Sequence, residues 1–162
     1  MKKLCSLALL LLFLCAPQVA RAQQVLYVVR HAEKVDQSGD PSLSAAGKRR
    51  ATALAHLLKD AGINAIYASA LKRTLETAAP LAEALKLQVH QVDGDQVKAL
   101  VKKLRAEHAE DRVLVVGHSD TVPQIIAAYG GPSFTLESTE YDNLFVLFPK
   151  GKAPATVVRL RF

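Results

Sequence analysis

The stretch "VLYVVRHAEK", Val25 to Lys34, decides how the chain is read. Its apolar, β-branched half reads as a buried strand, yet it ends abruptly in Arg30 and His31, with Glu33 and Lys34 just behind. Burying such groups is costly unless they act at the strand's edge. The rest of the chain must therefore supply a reason for charge at that point.

Working outward toward the N-terminus, "MKK" is a short basic start, "LCSLALLLLFLCA" is an apolar run too short for a comfortable bilayer span, and Ala20 and Ala22 stand where a signal peptidase reads small residues. Residues 1–22 are expected to be a cleaved secretory leader, which places the mature domain at 23–162 in a periplasm or in the secreted fraction. Leu14 ahead of Cys15 is too bulky for a lipidation signal. Cleavage removes both cysteines, Cys5 and Cys15, and leaves a chain without thiol or disulfide chemistry. Removing Lys2, Lys3 and Arg21 from the 21 basic residues leaves an excess of three positive charges over the 15 acidic residues. So mild a balance gives no reason to expect nucleic acid or stable membrane insertion after cleavage, while a basic patch still suits an anionic small substrate.

The chain has 162 residues, half of them hydrophobic, and fits one ordinary globular domain. Toward the C-terminus, strand-like and helix-like runs alternate. "PSLSAAGKRRATALAHLLKDAG" reads as a helix capped by Ser44, with Ala53, Leu54, Leu57, Leu58 and Ala61 on its apolar face and Gly62 as its stop. "INAIYAS" is a second strand, and "LKRTLETAAPLAEALK" a second helix that Pro80 is expected to kink or split. "LQVHQV" follows as a third strand, and "DQVKALVKKLRAEHA" as a helix with a stripe of Val97, Leu100, Val101 and Leu104. "RVLVVG" repeats the opening strand signature, "TVPQIIAAYG" is a short helix ending at Gly130, and "NLFVLFPKGKAPATVVRLRF" is a β-hairpin. One α/β domain with a mostly parallel sheet accounts for this order.

"RVLVVGHSDT", Arg112 to Thr121, has the same design as the opening stretch and releases His118 where strand gives way to helix. In parallel α/β sheets, ligands bind at the carboxyl ends of strands, so His31 and His118 are expected side by side. "INAIYAS" adds Arg73 in the first turn of the helix that follows it. Arginine forks bind phosphate oxygens, and helix N-termini add backbone donors, so Arg30, His31, Arg73 and His118 describe a pocket for a phosphoryl group. Neutral imidazole is a nucleophile, and attack on phosphorus gives a phosphohistidine that water hydrolyses. The arginines and His118 stabilise charge on the transferring group. No metal or other cofactor is required, and the arginines would repel a cation from a site built of His31, His118, Glu33 and Asp120.

These residues resemble the histidine phosphatase superfamily, the group related to phosphoglycerate mutase. "VVRHAEK" is similar to its Arg-His signature, "SALKRTLETA" to its second-arginine segment and "VLVVGHSDTVP" to its second-histidine segment. "LSAAGKRRA" is similar to its Leu-Ser/Thr-x-x-Gly helix start. The resemblance implies a three-layer α/β/α sandwich, His31 as the phosphorylated nucleophile, Arg30 and Arg73 as phosphoryl ligands, and His118 completing the pocket. It differs from the family in having Ala32 where glycine usually follows the nucleophile, which requires a negative φ there.

Many family members carry an acid after the second-arginine helix that protonates the leaving group. Asp93 in "VDGDQ" is the favoured candidate, with Asp95 also able to cap the next helix and Asp120 assigned first to capping its own. Glu33 is expected to line the mouth or pair with a nearby base, and Lys34 to be solvated. The leading reading is an exported phosphatase of small phosphorylated substrates, with an open pocket because the motif spacing leaves no room for a large cap. The alternatives are a non-catalytic module binding phosphorylated ligands and a protein phosphohistidine phosphatase.

Overall fold

The computed structural model describes residues 23–162; the expected leader lies outside the described residues. Six strands form one sheet: β1 (Val25–Arg30), β2 (Ala65–Ser69), β3 (Val89–Val92), β4 (Arg112–Gly117), β5 (Asn143–Lys150) and β6 (Ala153–Arg161). Four helices lie between them: α1 (Ala45–Leu58), α2 (Lys72–Leu85), α3 (Val97–Glu107) and α4 (Thr121–Ala128). The strand order is β3-β2-β4-β1-β5-β6. The first four of these run parallel, while β5 and β6 add an antiparallel edge, so the sheet is mostly parallel as expected.

Alternation along the strands sends Leu26, Val28, Val113, Val115, Phe145 and Leu147 to one face, where they pack with α3 and α4. Val25, Val29, Leu114, Val116, Leu144 and Val146 face the other way, toward α1 and α2. The result is three layers. Both faces of β1 and β4 are covered, which is why these strands read as continuous apolar runs rather than as alternating ones. Each fully buried leucine here, Leu26, Leu54 and Leu104 among them, contributes about 2 kcal/mol by leaving water.

The stripe expected on α3, Val97, Leu100, Val101 and Leu104, is its buried face. On α1 the buried residues are Gly47, Ala51, Leu54, Ala55 and Leu58, whereas Ala53 and Leu57 are exposed. The expected face was rotated because two overlapping apolar stripes fit this segment, and docking chose the one continuous with Gly47. The helix also ends at Leu58, ahead of Gly62, which adopts φ 72° in the following turn.

Pro80 neither kinks α2 into two elements nor ends it; the helix runs unbroken from Lys72 to Leu85. Thr74, Thr77, Ala78, Leu81 and Ala82 are buried on both sides of the proline, and that packing offsets the backbone bond that Pro80 cannot make. Among the described residues no helix is long and apolar enough to cross a membrane.

Ser44 caps α1, its hydroxyl accepting from the Gly47 N–H at 3.1 Å. Its own N–H donates to the Glu33 carbonyl at 2.9 Å, so the helix start is docked against the segment behind His31. A Cβ at Gly47 would overlap the Glu33 carbonyl, which explains the glycine in the Leu-Ser-x-x-Gly start. Gly47→Ala is expected to lower stability by about 1–3 kcal/mol, as overpacking against backbone does, which urea unfolding would measure.

Candidate active site

β1 and β4 pair in parallel with Arg30 opposite Gly117. The pairing continues one residue further, the His31 N–H donating to the Gly117 carbonyl at 2.9 Å. His31 and His118 thus leave the sheet on adjacent tracks, with ring centroids 5.5 Å apart. β2, on the other side of β4, ends in Ser69 and leads into the first turn of α2 with Arg73. A cleft of about 410 Å³ at this edge is lined by Arg30, His31, Arg73 and His118 together with Lys34, Asp95 and Asp120.

His31 is buried, and its Nδ1 lies 2.8 Å from the Ala32 carbonyl. A carbonyl only accepts, so Nδ1 carries the proton and Nε2 keeps its lone pair. Burial pushes the imidazole down to about 4, helped by Arg30, His118 and Arg73 and opposed by the hydrogen bond to Ala32. The ring is therefore neutral at pH 7 with one nitrogen ready to attack. Thr77 holds this arrangement from below: its hydroxyl donates to the Arg73 carbonyl at 2.7 Å and accepts from the Ala32 N–H at 3.0 Å. Ala32 is accommodated, because Lys86 is the one non-glycine with positive φ among the described residues.

The tautomer of His118 follows from counting protons. The Thr74 hydroxyl has one proton and lies 2.7 Å from the Leu71 carbonyl and 2.9 Å from that of Ser69, so it donates there. It then accepts from Ser69 Oγ at 2.8 Å, and Ser69 Oγ in turn accepts from His118 Nε2 at 3.0 Å. His118 carries its proton on Nε2. Burial, then Arg73 and Arg30, lower its proton affinity, against the opposing pull of Asp120.

Arg30 is buried and its proton affinity is lowered mainly by that burial. Its Nη1 donates to the carbonyls of Glu137 at 2.9 Å and Ser138 at 3.2 Å, and the guanidinium lies 4.2 Å from the centre of the Tyr141 ring. Nε is buried without a hydrogen-bond partner among the described residues. Arg73 is half-exposed, with one long contact of 3.4 Å to the Gly39 carbonyl.

The carboxylates divide between two clefts and one ion pair, the last being the pairing with a nearby base expected for Glu33. Asp93 is exposed and lines an adjoining, mostly apolar cleft that also touches His118, while its backbone carbonyl accepts from Gln96 at 3.1 Å. Asp95 and Asp120 share the cleft with the two histidines and two arginines. Asp120 occupies the cap position of α4 but its side chain makes no capping bond, because its backbone is already helical (φ −92°, ψ −39°). Glu33 pairs with Arg50 through both oxygens at 2.7–3.0 Å. Burial alone would raise its carboxyl, and the Arg50 bonds outweigh that and hold it low. Lys34 is not simply solvated; it lines the cleft and donates to Gln37 at 2.9 Å.

Sequence reasoning missed Tyr141, Ser69, Thr74 and Thr77. Ser69, Thr74 and Thr77 stand inside "SALKRTLETA", where spacing from Arg73 was the available signal. Tyr141, with its ring centroid 6.0 Å from that of His31, had none. Of the remaining histidines, His108 bonds to the Tyr67 hydroxyl and to Asp111, each at 2.8 Å, and His90 stacks on Tyr67 at 5.0 Å, which are structural uses. Among the described residues no cluster of side chains is arranged to hold a metal.

Known structures share this architecture. The protein histidine phosphatase SixA, complexed with tungstate, superposes with TM-score 0.72 at 18% identity over 85% of this chain and 96% of that one. A putative alpha-ribazole-5'-P phosphatase from Escherichia coli gives TM-score 0.70 at 18% identity, covering 86% and 97%. The family model described as "Histidine phosphatase superfamily (branch 1)" matches residues 26–94, the segment holding Arg30, His31 and Arg73. Over those residues the chain matches the histidine phosphatase superfamily. The chain is also 41% identical over 100 residues to Phosphoserine phosphatase 1 of Hydrogenobacter thermophilus, a match covering 53% of this chain and 47% of that protein. The chain therefore spans about half the length of the curated relative it matches. The fold is what this chain shares with those phosphatase structures.

Because the fold holds His31 neutral down to about pH 4 while an unfolded chain protonates it near 6.5, the unfolded state takes up protons first as pH falls. The His31 contribution to stability is complete above about 6.5 and is lost toward about 4. An NMR titration of the imidazoles is expected to show His31 unprotonated at pH 5.5 to 6, roughly where an ordinary histidine is mostly charged. Denaturation midpoints should fall over the same interval.

Proposed function

We propose that the protein is an exported, metal-independent phosphatase that hydrolyses phosphate monoesters through a phosphohistidine on His31. The observation that carries this reading is the state of His31: neutral, proton fixed on Nδ1, and Nε2 free in a cleft that it shares with two arginines. The buried, unpartnered Nε of Arg30 is a donor that a phosphoryl oxygen would satisfy.

In the proposed sequence Nε2 attacks phosphorus, the bond from phosphorus to the leaving oxygen breaks, and that oxygen takes up a proton. Arg30 and Arg73 neutralise the equatorial oxygens. A phosphate dianion offsets the arginine charge that lowers the proton affinity of His118, so binding favours protonation of that ring. Water then cleaves the phosphohistidine and releases inorganic phosphate. Asp120 is the proposed proton donor rather than Asp93, because it shares the cleft with His31 and is released from capping. Export rests on the sequence pattern of residues 1–22, and N-terminal sequencing of protein recovered from cells is expected to begin at Gln23.

His31→Ala is expected to lower turnover of an aryl phosphate by about a thousandfold or more and to abolish acid-labile, base-stable labelling of the enzyme. No turnover of any ester by the wild-type protein, with phosphate still bound, would favour a non-catalytic binding module instead. Asp120→Asn should slow alkyl esters, whose leaving oxygens need the proton, by about tenfold to a hundredfold more than p-nitrophenyl phosphate. The same contrast appearing in Asp93→Asn and not in Asp120→Asn would return the role to Asp93.

A further inference from the structure

The histidine cleft adjoins a second one of about 450 Å³, and the two share Ser119 and Asp120. Its walls are α4, through Pro123, Gln124 and Ala127, and the segment after α4, through Phe134 and Leu136. We propose that this second cleft seats the leaving group of the substrate, and that it selects an uncharged leaving group with an apolar face. The inference rests on the reading that the histidine cleft receives the phosphoryl group.

Three observations carry it. The two clefts share Ser119 and Asp120, so a group attached to a phosphoryl on the histidine site lies beside the start of α4 and can extend along it. The wall is anchored rather than loose: Phe134 packs on the core residue Phe145 with ring centroids 5.0 Å apart, and Arg30 grips the carbonyls of Glu137 and Ser138. The guanidinium that faces the phosphoryl group thereby also sets the distance to the wall beside the leaving group.

The third observation is charge. No lysine or arginine lines the second cleft, and its one ionisable side chain is Asp120 at the junction. A leaving group carrying a carboxylate would find no cation to pair with in this cleft. An ammonium would give up water for Pro123, Ala127, Phe134 and Leu136, while the one acid it meets, Asp120, is the group proposed to supply the leaving oxygen's proton. An uncharged group with an apolar face places that face on Phe134 and Leu136, with Gln124, Ser133 and Thr135 available to hydroxyls or amides. The class differs from the phosphoserine named for the Hydrogenobacter relative, which carries both charges.

Non-hydrolysable phosphonates test the cleft without needing turnover. With the purified protein, 2-phenylethylphosphonate is expected to bind about tenfold or more tighter than 3-phosphonopropionate or 2-aminoethylphosphonate by calorimetry. Ala127→Trp, at an exposed position of α4, is expected to remove most of that advantage and leave methylphosphonate binding unchanged. Equal affinity for the three ligands, tighter binding of either charged one, or an advantage untouched by the tryptophan overturns the proposal. Graded phosphonate binding without turnover of 2-phenylethyl phosphate rejects the phosphatase reading and keeps the cleft. Turnover with ungraded binding does the reverse.

Discussion

The parallel pairing of β1 with β4, closed by the His31 N–H on the Gly117 carbonyl, is the constraint on which the site depends. It brings two histidines from distant parts of the chain to adjacent strand ends and fixes them by backbone bonds. A one-residue slip of either strand would turn its alternating side chains to the opposite layer. The interleaved core residues of the two helical layers prevent that slip, so the same burial that stabilises the sheet also positions the chemistry.

Charge at a buried strand end is tolerated here by two different means. His31 gives up its charge, held neutral by burial, with Arg30, His118 and Arg73 adding to the effect. Arg30 keeps its charge and spreads it over the carbonyls of Glu137 and Ser138 and the face of Tyr141. The partnerless Nε is the remaining cost. Behind them, Glu33 neutralises Arg50, whose Nη1 also reaches the Phe162 carbonyl at 2.8 Å, tying the C-terminus to the segment that follows the nucleophile.

Hydroxyl groups do the fine positioning. Thr77 holds the Ala32 N–H, on the residue whose carbonyl sets the His31 tautomer, and the Thr74–Ser69 pair sets that of His118. All three come from the end of β2 and the first two turns of α2, so the element that supplies Arg73 also orients both histidines. The compact arrangement leaves one side of the site bounded by α4 and the segment after it, and that side is where substrate discrimination can be built.

The sequence by itself determined the alternation of strands and helices, the α3 stripe, the Ser44 cap, the C-terminal hairpin, and the delivery of Arg30, His31, Arg73 and His118 to strand ends or first turns. Each is a local property: periodicity, capping chemistry and strand length are written within a dozen residues. Tertiary structure alone decided which face of α1 is buried, that α2 runs through Pro80, that Asp120 is free while Glu33 is paired, and that Tyr141 stands beside His31. It also decided which nitrogen of each imidazole holds the proton. Those outcomes depend on partners contributed by remote segments, such as the Gly117 carbonyl, the Arg50 guanidinium and the Ser69 hydroxyl. No local pattern encodes the distance to them.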